Sequence, residues 1–154
     1  MSAGHPGIGD VAPDFTLPAT GGEPITLSGL RGAPVVLVFY PGDHTPVCTT
    51  QLNAYTRDIS EFEALGARVL AISPQDVASH DDFSCKQGGF GFPLLADTEK
   101  VVGRAYGVIG PVGFYRRSVF IVDREGTIRY AHRSVAGLTY RPVSELVAAL
   151  QAIP

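Results

Sequence analysis

A chain of 154 residues with 45% hydrophobic content has the size of one compact domain and enough apolar material for a core, so a single domain over 1–154 is expected. A formal charge of −3, from 12 Lys and Arg against 15 Asp and Glu, argues against nucleic acid or an anionic membrane as partner. No run approaches the roughly 20 apolar residues of a membrane span. Met1 to Gly9 carry neither the basic start nor the apolar stretch of a secretory leader, so a cytoplasmic protein is expected.

In chain order, Gly9 to Gly32 places turn formers (Pro13, Pro18, Gly21, Gly22, Pro24) between the short alternating pairs Phe15/Leu17 and Ile25/Leu27, which predicts an N-terminal hairpin. Val35 to Tyr40 is a continuous apolar run between Pro34 and Pro41, the pattern of a central strand buried on both faces. From about Thr49, Leu52, Tyr55, Ile59 and Phe62 recur at helical spacing up to Gly66. Val69 to Ile72 predicts a second buried strand. Asp76 then stands as N-cap of a helix reaching about Gln87.

Phe92 to Leu95 is too short to assign. Val101, Val102 and Ala105 suggest a short helix before the glycine-rich Gly107 to Gly113, and Gly88 to Gly91 reads as a helix stop. Ser118–Val122 and Thr127–Tyr130 flank Asp123-Arg124-Glu125-Gly126 as strand, turn and strand. Val143, Leu146, Val147 and Leu150 mark a closing helix behind Pro142. Strands alternating with helices, followed by a hairpin, make an α/β domain: a central mixed sheet flanked by helices.

Two cysteines are too few for a disulfide scaffold, which makes their reactivity the informative question. Cys48 sits where the central strand passes into the first helix. There, unpaired backbone N–H groups and the helix dipole favour thiolate over thiol. Thr45 can offer a hydroxyl to the sulfur or to a bound oxygen, and Pro41 and Pro46 stiffen the loop. A thiolate on a fixed line of approach, with donors for a leaving oxygen, is what attack on an O–O bond requires.

Pro41, Thr45 and Cys48 form the Pro-x-x-x-Thr-x-x-Cys signature, and the run from Phe39 to Gln51 resembles peroxiredoxins, most closely the bacterioferritin-comigratory-protein or peroxiredoxin Q subfamily. The likeness extends along nearly the whole chain, through Ala12 to Leu17, Phe92 to Asp97 and Arg117 to Asp123. It implies a thioredoxin-like fold and thiol-dependent peroxidase activity on hydrogen peroxide and organic hydroperoxides. It also implies no bound cofactor, a thioredoxin or glutaredoxin-type reductant, and a monomer. By the same resemblance Arg117 is the active-site arginine. A guanidinium there offers fixed donors that an ammonium does not, while Arg116 should point to the opposite face of its strand.

Many subfamily members carry a resolving cysteine five residues after the first, where this chain has Asn53. Others resolve from the next helix, and Cys85 resembles that arrangement, implying an intramolecular disulfide with Cys48. If Phe83 anchors that helix, Cys85 lies roughly 200° around the axis and faces outward. Because disulfide geometry is strict, Thr45 to Thr50 and His80 to Gly89 are expected to be mobile. Gln51, often acidic in the subfamily, is read as support for the helix start.

The alternatives are a one-cysteine peroxidase with an external resolving thiol and a redox-sensing or chaperone-like binding protein. A dithiol oxidoreductase would need Cys-x-x-Cys, which Cys48-Thr49-Thr50-Gln51 lacks. A cysteine hydrolase would need a positioned histidine. His5, His44, His80 and His132 show no metal-binding spacing, so no metal is expected.

Overall fold

The structure is a computed structural model that describes residues 5–111, 113–134 and 140–153. Met1 to Gly4 of the opening segment and Val112 of the glycine-rich segment lie outside the described residues. Strands β1 (Thr16–Leu17) and β2 (Ile25–Thr26) pair antiparallel as the N-terminal hairpin. The main sheet has five strands: β3 (Val35–Phe39), β4 (Arg68–Ser73), β5 (Leu94–Ala96), β6 (Ser118–Val122) and β7 (Ile128–Arg133), in the order β5-β4-β3-β6-β7. β3, β4 and β5 run parallel, while β6 and β7 run antiparallel to their neighbours, so the sheet is mixed.

All five residues of β3 are buried, as its uninterrupted apolar run requires. Val35, Leu37 and Phe39 enter one core with Phe15, Tyr106 and Phe120. Val36 and Val38 enter the other, with Cys48, Leu52, Tyr55, Phe62 and Leu146. Helices α1 (Pro46–Arg57), α2 (Ile59–Glu63), α3 (Val77–Lys86) and α5 (Val143–Gln151) all contribute to this second core, and α4 (Val101–Ala105) contributes Val102 to the first.

Strand β7 runs on to Arg133 rather than ending at Tyr130, and the helical boundaries differ from the sequence reading in two places. The first helix begins at Pro46 rather than about Thr49, because proline at the first helical position has its φ preset and needs no N–H partner. Apolar periodicity starts only at Leu52, since Cys48 is the one fully buried residue among Pro46 to Thr49. The stripe from Leu52 to Phe62 belongs to two helices broken at Asp58 (φ −105, ψ 20). Asp58 keeps its N–H on the Ala54 carbonyl, which leaves the stripe in phase across the break.

The segment too short to assign is β5, an edge strand covered by Pro18 to Thr20: Ala96 donates to the Pro18 carbonyl and Thr20 Oγ1 accepts from the Leu94 N–H. Asp76 caps α3, accepting from the Ser79 N–H at 2.9 Å. In the β6–β7 turn, Gly126 adopts φ 92, a left-handed conformation glycine reaches without a Cβ penalty. Among the described residues, no helix is long and apolar enough to cross a membrane.

Candidate active site

β3 delivers the chain to the site. Its last residue, Phe39, is in register with Ile72 of β4 and Ser118 of β6. The C-terminal end of β3 therefore lies beside the N-terminal end of β6, and the loop opened by half-buried Pro41 lies beside Arg117. Thr45 is the extended N-cap of α1, and its carbonyl accepts from the Thr49 N–H at 2.9 Å. Cys48 is the third helical residue, with its side chain fully buried at the end of the helix where backbone N–H groups have no intrahelical acceptor.

Arg117, itself only 4% exposed, points Nη1 at Cys48 Sγ from 3.1 Å and donates to Gln51 Oε1 at 2.8 Å. A guanidinium can only donate, so the sulfur is the acceptor, and such a bond is strongest to a thiolate. Arg116 turns the other way and donates to the Gly107 carbonyl at 3.1 Å. Thr45 is exposed, and its hydroxyl donates to the Gly42 carbonyl at 3.0 Å rather than to the sulfur. The turning loop leaves that carbonyl in need of a donor, and the threonine supplies it.

Cys85 lies exposed on α3, turned outward as its offset from buried Phe83 implied, and both thiols are free. The structure thus brings Cys48 and Arg117 into contact, with Thr45 and Pro41 in the loop that leads into α1, and leaves Cys85 exposed on α3. Among the described residues, no cluster of three or more His, Cys, Asp or Glu gathers as metal ligands.

Gln51 belongs to the site, although the sequence reading confined it to the helix start. It is fully buried one turn beyond Cys48. Its Oε1 holds Arg117, and its Nε2 lies 3.4 Å from the Tyr55 hydroxyl, which donates to the Arg141 carbonyl at 2.6 Å. Burial pushes the Tyr55 pKa up to about 12. The signal was its spacing: three residues on from a helical cysteine is the same face. Gln51→Leu should therefore lower the rate constant of Cys48 with peroxide by about tenfold, the scale of one hydrogen bond to a charged group. Gln51→Glu, which keeps the acceptor, should recover most of it. Equal rates in Gln51→Leu and the parent would refute the positioning role.

Asp43, Tyr40 and His80 were also missed. They form a buried polar cluster beneath the loop.

A thioredoxin-like α/β domain with a buried cysteine opening a helix, held by a buried arginine from the adjoining strand, defines a thiol-based redox enzyme. Residues 8–131 match the AhpC/TSA family, and the chain belongs to it as a peroxiredoxin, a thiol peroxidase. Within the family it is similar to peroxiredoxin Bcp of Xanthomonas campestris pv. campestris, 38% identical over 79% of this chain and 80% of that protein. It is 39% identical to peroxiredoxin 2 of Thermoplasma acidophilum, over 95% of this chain and 75% of that one. The solved structure of Xanthomonas campestris peroxiredoxin Q superposes with a TM-score of 0.81 at 37% identity, covering 90% of each chain. A further structure of the Xanthomonas bacterioferritin comigratory protein, solved as trapped intermediate and ligand complexes, is described in terms of alkyl peroxide reduction; it covers 90% of each chain at 37% identity with a TM-score of 0.80.

Proposed function

We propose that this peroxidase reduces hydrogen peroxide and alkyl hydroperoxides through Cys48, with Cys85 as the resolving thiol and a thioredoxin or glutaredoxin-type donor closing the cycle. The observation that carries the first half is the Arg117 guanidinium 3.1 Å from the buried Cys48 sulfur. The Cys48 thiolate attacks the terminal oxygen of the hydroperoxide. The O–O bond breaks, the sulfur becomes sulfenic acid, and the alkoxide or hydroxide leaves with the electron pair and takes a proton from solvent. Arg117 donates to the oxygens as charge develops on them. Thr45, at the exposed mouth, exchanges its bond to Gly42 for one to the peroxide. Pro41 fixes the loop's departure from β3.

In the second half, the Cys85 thiolate attacks the sulfenic sulfur; an S–S bond forms, the S–O bond breaks, and hydroxide leaves as water after protonation. Cβ atoms must approach to about 4.5 Å, so the segments Thr45 to Thr50 and His80 to Gly89 unwind for this step. What supports Cys85 is its exposure on the neighbouring helix and the subfamily resemblance. The Xanthomonas relative has, moreover, been solved with either of two cysteines replaced by serine. The same resemblance supports a monomer.

The test is intact mass after one equivalent of hydrogen peroxide with a sulfenic-acid trap present. The parent should lose two protons, and Cys85→Ser should carry a trapped adduct on Cys48. Adduct in both proteins would instead identify a one-cysteine peroxidase with an external resolving thiol.

A further inference from the structure

We propose that Asp43 and His80 form a positioning pair that holds the Cys48 loop shut against α3 and thereby sets the rate of the disulfide step, without contacting peroxide. This rests on the reading of Cys85 as the resolving thiol.

The carboxylate of Asp43 is saturated. Oδ1 accepts from the Tyr40 hydroxyl at 2.7 Å, while Oδ2 accepts from Ser79 Oγ at 2.7 Å and lies 2.7 Å from His80 Nδ1. Its backbone N–H donates to Gln75 Oε1 at 3.0 Å. His80 is fully buried, and its other nitrogen lies 2.9 Å from the Leu95 carbonyl. That carbonyl can only accept, so Nε2 is the donor there, and Nδ1 faces the carboxylate. Burial alone would raise the Asp43 pKa, but the hydrogen bonds from His80, Tyr40 and Ser79 outweigh it and hold the group below the usual carboxylate range. Among the described residues its hydrogen-bond partners are Tyr40, Ser79, His80 and Gln75.

The pair's position gives it a role. Asp43 precedes Cys48 by five residues, and His80 precedes Cys85 by five. One bond thus ties the first residue of the segment His80 to Gly89, which must unwind before the sulfurs can meet, to the loop that leads into the other, Thr45 to Thr50. Two weaker ties lie alongside. His44, in the left-handed region at φ 66, reaches Asp82 at 3.3 Å and packs its ring on Phe83 at 5.1 Å. Asn53 donates to Gln87 Oε1 at 3.0 Å. The Asp43–His80 bond is the one that opening must take out of a dry interior, where leaving one partner behind is most unfavourable. Releasing it destabilises the closed loop and leaves the open one unchanged, so the variant opens more readily.

The experiment is rapid-quench intact mass on the full chain, which separates sulfenic acid formation from disulfide formation. His80→Ala should form the disulfide about tenfold faster or more. The rate of sulfenic acid formation should stay within about threefold of the parent, and less sulfinic acid should accumulate at high peroxide. His80→Asn, whose amide nitrogen takes the place of Nδ1, should return the disulfide step toward the parental rate. Ser79→Ala, a milder change on the same carboxylate, should speed it by about threefold. An unchanged disulfide rate in both His80→Ala and Ser79→Ala, or both steps falling together, would overturn the pair's role and leave Cys85 standing. Absence of any disulfide in the parent would overturn both readings.

Discussion

Arg117→Met is expected to lower the second-order rate constant for oxidation of Cys48 by about 10²–10³, the scale seen when one preorganised donor to a developing oxyanion is removed. The reason is geometric. One guanidinium nitrogen serves both Cys48 Sγ at 3.1 Å and Gln51 Oε1 at 2.8 Å, so the group is fixed before peroxide arrives and spends nothing on reorientation. Arg117→Lys should recover little, because an ammonium on a flexible stem replaces a planar fork of donors by a point charge. Competition against a reference peroxidase, or stopped-flow with the protein in excess, measures the constant directly. Activity within threefold of the parent in Arg117→Met would mean that the transition state draws its stabilisation from the helix N-terminus alone.

Phe39→Ala should lower the unfolding free energy by about 3–5 kcal/mol, a large part of the roughly 5–15 kcal/mol that a domain possesses. Phe39 is fully buried in the centre of the sheet. Its ring lies 5.3 Å from Tyr106, 5.8 Å from Tyr115 and 5.7 Å from Phe120, the last edge-on. All three neighbours are anchored elsewhere: Tyr106 donates to the Pro13 carbonyl at 2.6 Å, Tyr115 donates to Asp97, and Phe120 lies in β6. They cannot collapse into the vacated space, which places the cost at the upper end of the range for a truncated aromatic. Urea unfolding followed by tyrosine fluorescence measures it, since the chain has no tryptophan. A loss below about 1 kcal/mol would show that the core repacks freely. Because Phe39 belongs to the core on the face opposite Cys48, peroxide kinetics of the molecules still folded should be unchanged.

The parts of the fold written in period and punctuation were legible in the sequence. The unbroken run Val35 to Tyr40 could only be a strand covered on both sides, and Asp76 and Gly126 marked a helix start and a turn. The break at Asp58 was invisible because it does not disturb the apolar phase. β5 was invisible because three residues carry no period, and its place comes from pairing with β4 and from the chain laid over its edge.

At the site, Cys48 and Arg117 were found through a motif and a resemblance, whereas their contact depends on a strand pairing between residues far apart in sequence. Gln51 and His80 were missed for a shared reason. Each was judged by its own chemistry and not by the face it occupies. Three residues on from Cys48 and three back from Phe83, both had to be interior, and an interior polar group must have a partner.

The antiparallel pairing of β3 with β6 reaches beyond the geometry of one contact. With Ser118 opposite Phe39, Arg117 faces the sulfur and Arg116 faces away. A slip of one residue would exchange the two arginines and leave every backbone bond of the ladder available to form. The pleat thus gives the pairing a parity that the chemistry reads. A chain closed in the wrong phase would present Arg116 where Arg117 belongs, so peroxide turnover would report the fidelity of folding as well as the presence of the enzyme.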